Sequence, residues 1–367
     1  MKNFFAIWTL LSLAPIFATS AIHDESDLSG GLNSPLEEAA GFDFFRADKV
    51  EHEKIETGRI GLRVILNTKE GTQKTLKGFT HRFYFAGKFH NLKSEKEIIR
   101  VEACAKNSAK AVNVATLVEH PLFTIENHKG EPYEILFKLK CGQLTTLIFD
   151  WDSYGGQALG VRDTALRAVA KFKEIDRLDF WNEKIHIVYR SNGNFYDFEK
   201  VHVTDGYKWD IVAHELGHGV YHLARVGRGA AGEHYIDRCY GEGIAFSEGW
   251  ASFFSAWLRF ELNDPAPAFE FMVPRRAPLA IERVPSDVCK GPGNEWRVFA
   301  FLWDLIDHNN DDESSRISFQ ELWDFSRGKE YTGLSQFKED LLNSGYDPVL
   351  VNLIWDQTVM GNVSFDL

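Results

Sequence analysis

The chain changes character along its length in the rhythm of its apolar positions. Between residues 58 and 149, runs such as "GRIGLRVILNT", "FTHRFYFAG", "EIIRVEACA", "AVNVATLVE" and "YEILFKLKCGQLTTLIFD" are rich in β-branched and aromatic residues and tend to alternate apolar with polar. Asn67–Gly71, Gly87 and His128–Gly130 separate them as turns. This pattern predicts an antiparallel β-sandwich or barrel. From about residue 155 the spacing becomes helical. "QALGVRDTALRAVAKFKEIDRL" carries an apolar stripe with charges between, while "EKIHIVYR" (183–190) and "KVHVTD" (200–205) predict strands. "YKWDIVAHELGHGVYHLARVG" then predicts a long helix ending near Gly227 or Gly229. Further helices are expected over 247–262, with Ser247 as N-cap, and over 293–308 and 319–328. The expected fold class is α+β: a sandwich-like β-domain over 58–149, then a domain over 150–367 whose C-terminal half is mostly helical.

The first 57 residues add a different expectation. Residues 1–21 carry a lysine at position 2, an apolar stretch interrupted by Pro15, and small residues at Ala18, Ser20 and Ala21, as a secretory signal peptide does. Residues 22–57 are acidic and polar with paired glycines at 30 and 31, which predicts a linker or pro-segment. No later stretch reaches the length of a membrane span, so no integral membrane association is expected. Four cysteines, Cys104, Cys141, Cys239 and Cys289, fit an oxidising compartment, and one bridge per domain is the expected pairing among the three that four cysteines allow. With no CxxC pair among them, a thiolate zinc site is not expected. The net charge of -12 argues against nucleic acid or an anionic membrane surface as the main partner. Oligomeric state is left open by these features.

The candidate chemistry lies at 214–218, "HELGH". Residues four apart lie on one face of a helix, so His214 and His218 would project side by side and could offer two imidazole nitrogens to one Zn2+. Glu215, one step round, would sit near the metal without binding it, where a general base can deprotonate a water made acidic by the cation. Gly217 and Gly219 are unusual inside a helix and point to the close approach of another element.

This segment resembles the active-site helix of the zincin metallopeptidases. The metzincin subgroup would continue with Gly at 221 and His at 224, and the chain has Tyr221 and Ala224 there. The gluzincins take a third ligand from a glutamate on a following helix, and Glu248 in "SEGWASFF" fits that role, at a longer separation than in thermolysin. Asp237 and Glu242 are the competing third ligands, and His222 reads as a packed or surface histidine. The gluzincin pattern places an aspartate four residues after the ligand glutamate to orient one histidine; here that residue is Ser252, whose hydroxyl can accept the same bond more weakly.

The resemblance implies an exported zinc metallopeptidase acting on a peptide or protein substrate. Metal ligands would be His214, His218 and Glu248, with Glu215 as catalytic base and then acid. "KVHVTD" would be an edge strand able to pair with extended substrate. The oxyanion stabiliser would come from Tyr235, His234, Tyr240, Arg297 or His308. The alternative is a secreted zincin-fold binding or surface protein with a structural zinc and no turnover. A Ca2+ loop can also be aligned over Asn310, Asp312, Ser314, Arg316, Ser318 and Glu321, although Ser315 replaces the usual glycine and a solvated acidic loop is the simpler expectation. His81, His90 and His120 are expected to be ordinary surface or packed histidines.

Overall fold

The computed structural model describes residues 43–55, 59–85, 88–94, 96–101, 111–229, 232, 234–309 and 316–362. The expected signal peptide, most of the expected linker, Cys104 and the first half of the expected calcium loop lie outside the described residues. Within them the chain is a mixed α+β protein. One five-stranded sheet has the order β1-β11-β8-β5-β6, from β1 (Asp43–Phe45), β5 (Phe79–Phe85), β6 (Lys88–Ser94), β8 (Ala111–Leu117) and β11 (Tyr133–Lys140). Another has β2-β12-β3-β4, from β2 (Lys49–Lys54), β3 (Ile60–Asn67), β4 (Gln73–Leu76) and β12 (Gln143–Asp150), with β7 (Ile99–Val101) also paired to β3.

Both sheets depart from the expected antiparallel pattern. β1 runs parallel to β11, and β3 runs parallel to β12 from Ile60↔Gln143 to Asn67↔Asp150. The physical reason is visible in β3, where nearly every side chain is buried instead of every second one. A strand covered on both faces reads as continuous apolar sequence, as parallel strands do. The stretch expected as a linker contributes β1 and β2. β2, "KVEHEK", has no buried side chain, so its sequence carries no apolar alternation to betray it; it pairs with β12 along the backbone, with His52 Nδ1 3.3 Å from Thr145 Oγ1.

The third sheet crosses the expected boundary at residue 150. Its order is β14-β15-β13-β10-β9, from β9 (Glu119–His120), β10 (Phe123–Glu126), β13 (Ile185–Tyr189), β14 (Phe195–Tyr196) and β15 (Lys200–Val203). β10 pairs parallel with β13, from Phe123↔Ile185 to Glu126↔Val188, and one buried apolar cluster runs from Phe45 to Val359. β15 is not the edge strand that the zincin resemblance implied: β14 pairs with it through Phe195↔His202 and Tyr196↔Val201 and takes the outer position.

α1 (Tyr154–Glu174) and α2 (Trp209–Leu223) pack against these sheets, α3 (Glu242–Arg259) packs on α2 and α4 (Glu295–Asp304) on α3, and α5 (Phe319–Ser326), α6 (Leu334–Asn343) and α7 (Pro348–Ile354) complete the helical part. α2 stops earlier than expected because Arg225 adopts a left-handed backbone (φ 52°) and the chain turns back, with Val226 N–H donating to the Tyr221 carbonyl at 3.1 Å. Among the described residues no helix is long and apolar enough to cross a membrane. Cys239 and Cys289 form a disulfide with Cα atoms 5.6 Å apart, which staples the segment before α3 to the segment before α4. Cys141 is also disulfide-bonded.

His81 is a packed histidine, as expected, and it predicts an acid sensitivity. It faces Thr116 across the β5–β8 pairing, its Nδ1 lies 2.7 Å from the threonine hydroxyl, and Phe79 and Phe83 flank it. Burial, aided by the nearby Arg162 charge, lowers its pKa to about 3 from an ordinary 6.5. The folded ring therefore stays neutral while the unfolded ring takes up a proton below pH 6.5. This contribution is intact above pH 6.5 and is lost progressively as pH falls towards 3. The expected loss at pH 5 is about 2 kcal/mol relative to pH 7.5, at about 1.4 kcal/mol per pH unit. Urea melts of the wild type and of His81→Gln at the two pH values check it: the variant should show a pH dependence smaller by that amount.

Candidate metal centre

His214, Glu215 and His218 lie on α2, and Glu248 lies on α3. The helices meet where Gly217 lacks a side chain: a Cβ there would come within 3.1 Å of the Ala251 Cα and carbonyl oxygen. That close approach brings Glu248 across to the two histidines. Gly219, by contrast, has only ordinary contacts at 3.4 Å or more, so it is not part of this device. On its other side α3 leans on α4 through Gly249, where a Cβ would fall 2.5 Å from Val298 Cβ.

The three side chains converge on one point. His214 Nε2 and His218 Nε2 are 3.2 Å apart, and Glu248 Oε2 lies 3.1 Å from the first and 3.2 Å from the second. This group could hold a metal ion, and it is the set of that kind found among the described residues. The spacing itself tests the fit. A tetrahedral Zn2+ with bonds of about 2.0–2.1 Å sets its ligand atoms about 3.3 Å apart, close to the edges of this triangle. Two imidazoles and one carboxylate are also the donor types that such a cation accepts.

Serine hydroxyls hold the far side of both rings. His214 Nδ1 lies 3.1 Å from Ser252 Oγ, and His218 Nδ1 lies 3.3 Å from Ser247 Oγ. Each ring can give its Nδ1–H to a hydroxyl and keep the Nε2 lone pair for a cation, the usual way an outer hydrogen bond fixes a ligand's tautomer. Ser252 thus occupies the position expected of it, and its hydroxyl also points to Met272 Sδ at 3.7 Å. Ser247 was expected as an N-cap. It lies instead in the second turn of a helix that begins at Glu242, and its side chain turns inward. Asp210, buried at the start of α2, accepts from the Phe271 and Met272 N–H groups at 2.7 and 3.0 Å, which anchors the segment bearing Met272.

The charge balance is tight. Burial opposes ionisation of Glu248, but the two imidazoles outweigh it and hold the carboxyl well below its usual range. Burial also works against the charged form of His218, and the Glu248 carboxylate reverses that and raises its pKa. Glu215, 7% exposed, lines the cleft beside this group, and burial raises its pKa against the pull of the imidazoles.

His234 completes the cluster. Its Nε2 is 3.4 Å from Glu248 Oε2, and its Nδ1 is 2.7 Å from Glu295 Oε2 at the start of α4. Burial disfavours its charge, but Glu295 and Glu248 outweigh it and place its pKa at about 9. The sequence named His234 as one of several oxyanion candidates but gave no sign of Glu295, which is 61 residues away. Of the other candidates, Arg297 is buried and donates to the carbonyls of Cys289 and Thr358, while Tyr235, Tyr240 and His308 do not line the cleft.

The rival third ligands are placed elsewhere. Glu242 accepts from the backbone N–H and hydroxyl of Ser335, both at 2.9 Å, and so caps α6. Asp237 is exposed and outside the converging group. His222 meets the Tyr196 hydroxyl at 2.7 Å. The cleft above the cluster has a volume of about 120 Å³ and is also lined by Asn194, Phe195, Tyr196 and Phe198. No protein-family model matches this chain, and no curated protein matches its sequence.

Proposed function

We propose that this chain is an exported, zinc-dependent metallopeptidase of the zincin type, hydrolysing internal peptide bonds of a peptide or protein substrate. The observation that carries the reading is the convergence of His214, His218 and Glu248 within 3.2 Å of one another, with Glu215 beside them in an open cleft. The donor set and its spacing support zinc. The Cys239–Cys289 bridge supports an oxidising, exported setting.

Zn2+, when bound by these three residues, supplies Lewis-acid chemistry that polarises a carbonyl and makes water acidic. The rest falls to the chain's own side chains. Glu215 takes the proton of the attacking water on its carboxylate and returns it to the amine that leaves. It is suited to the exchange because it lies next to the ligands in sequence and touches the cleft without belonging to the ligand triangle. His234, held by Glu295, donates from Nε2 to the carbonyl oxygen as it gains negative charge. Serines 247 and 252 keep the two ligand rings in place.

Ser252, a neutral group where a carboxylate would be expected, favours a second reading: a secreted binding protein of the same fold that keeps a structural zinc. One experiment separates the two. Purified protein is expected to contain about one zinc per chain and to cleave unfolded casein. It should lose that cleavage on treatment with 1,10-phenanthroline and regain it with added zinc. Full zinc content with no chelator-sensitive cleavage would establish the binding protein instead.

A further inference from the structure

A hydroxyl is an ambiguous partner for a metal ligand. The aspartate of the gluzincin pattern, when ionised, only accepts hydrogen bonds, so it leaves the imidazole beside it one tautomer. Ser252 carries a proton as well as two lone pairs and can face His214 Nδ1 either way round. If the serine accepts, Nδ1 bears the hydrogen and Nε2 keeps its lone pair for a cation. If it donates, the hydrogen moves to Nε2 and the ligand triangle loses a member.

The surroundings of Ser252 set the direction. Its hydroxyl lies 3.1 Å from His214 Nδ1 on one side and 3.7 Å from Met272 Sδ on the other, within reach of a bond to sulfur. A thioether has lone pairs and no hydrogen, so in that bond the serine must donate. The Ser252 proton is thereby drawn to sulfur, and a lone pair is left for the imidazole. A bond to sulfur is weak, but Ser252 is 6% exposed, so little water competes for its proton.

Met272 does not reach this place through local structure. It lies 20 residues after Ser252, in the long connection between α3 and α4 and outside any helix or strand. Asp210 holds it there. The buried Asp210 carboxylate accepts from the Phe271 and Met272 N–H groups at 2.7 and 3.0 Å. Burying a carboxylate is costly unless its lone pairs are filled, and here the groups that fill them belong to this one segment. Asp210 stands in the first turn of α2, four residues before His214. One helix therefore carries both the ligand and the anchor of the sulfur that orients it.

We propose that Met272 is a positioning residue of the metal centre: through Ser252 it sets the tautomer of His214, and the serine and methionine together replace the single carboxylate. This role rests on the zinc-binding part of the reading above and not on hydrolysis. It explains how a neutral hydroxyl can serve a metal ligand without a second acid nearby to direct it.

The test is a double-mutant cycle read as zinc affinity, by competition with a chelating dye, on the full purified protein. Met272→Leu keeps the apolar bulk that packs on the core and removes the acceptor. Ser252→Ala should weaken zinc binding by about 10–100-fold, as loss of an outer hydrogen bond does. Met272→Leu should weaken it by about 3–10-fold, a smaller loss because the hydroxyl remains and only its direction is released. In the double variant the methionine change should add nothing, since no hydroxyl is left to orient. If Met272→Leu leaves the affinity unchanged, or weakens it by the same factor with and without Ser252, the sulfur only packs and the role is overturned while the metal site stands. Wild type that binds no zinc overturns both.

Discussion

Glu215→Gln is expected to keep its zinc and lose hydrolysis by on the order of 10³-fold, within the range assigned to a positioned acid–base group. The amide has nearly the shape of the carboxylate, so the buried site beside His214 and His218 should stay packed. It has no proton affinity near neutral pH, so it can neither take the proton from water nor return it to the leaving amine. The prediction separates chemistry from architecture because Glu215 lies outside the ligand triangle. Zinc content by mass spectrometry should equal that of wild type, and kcat on a casein peptide should fall. A variant that loses zinc and activity together would place Glu215 among the groups that hold the metal, and one that keeps activity would remove it from the mechanism.

Glu248→Gln should have the opposite signature. The wild-type carboxylate lies 3.1–3.2 Å from both Nε2 atoms and supplies the single negative charge of the ligand set. An amide offers a neutral oxygen and can turn a hydrogen-bearing nitrogen towards the histidines. Loss of an outer hydrogen bond alone costs about 10–100-fold in metal affinity, so replacing a direct ligand should cost at least about 100-fold. Stability should follow by mass action. At free zinc about 1,000 times the wild-type dissociation constant, binding stabilises the folded chain by about 4 kcal/mol; a 100-fold weaker variant retains about 1.4 kcal/mol. Chemical denaturation with and without zinc measures both values. An unchanged zinc-dependent increment in Glu248→Gln would show that the third ligand lies elsewhere.

The sequence and the structure share the work unevenly in this protein. The pair at 214 and 218 could be read directly, because four residues make one turn and the turn is set by backbone geometry alone. The strands of the N-terminal region could be located by their apolar content, but not their partners. β2 escaped because all its side chains face solvent, and the parallel β3–β12 and β10–β13 pairings depend on which faces other layers cover. Ser247 was misjudged as a cap for a related reason. The helix starts five residues earlier, and only the neighbouring α2 makes its hydroxyl useful.

The same division runs through the site. Helical periodicity and residue type placed two imidazoles on one face of α2 with a carboxylate one step round, and that much needed no third dimension. Folding chose Glu248 over Asp237 and Glu242, set His234 against Glu295, and put three aromatic rings beside the cleft. Those choices depend on contacts between residues tens of positions apart, governed by how closely backbones can approach at Gly217 and Gly249 and by where Arg225 and Phe198 turn the chain. Local periodicity is fixed by bonds between near neighbours in the chain, whereas convergence is fixed by which surfaces exclude water together, and a linear pattern does not record that.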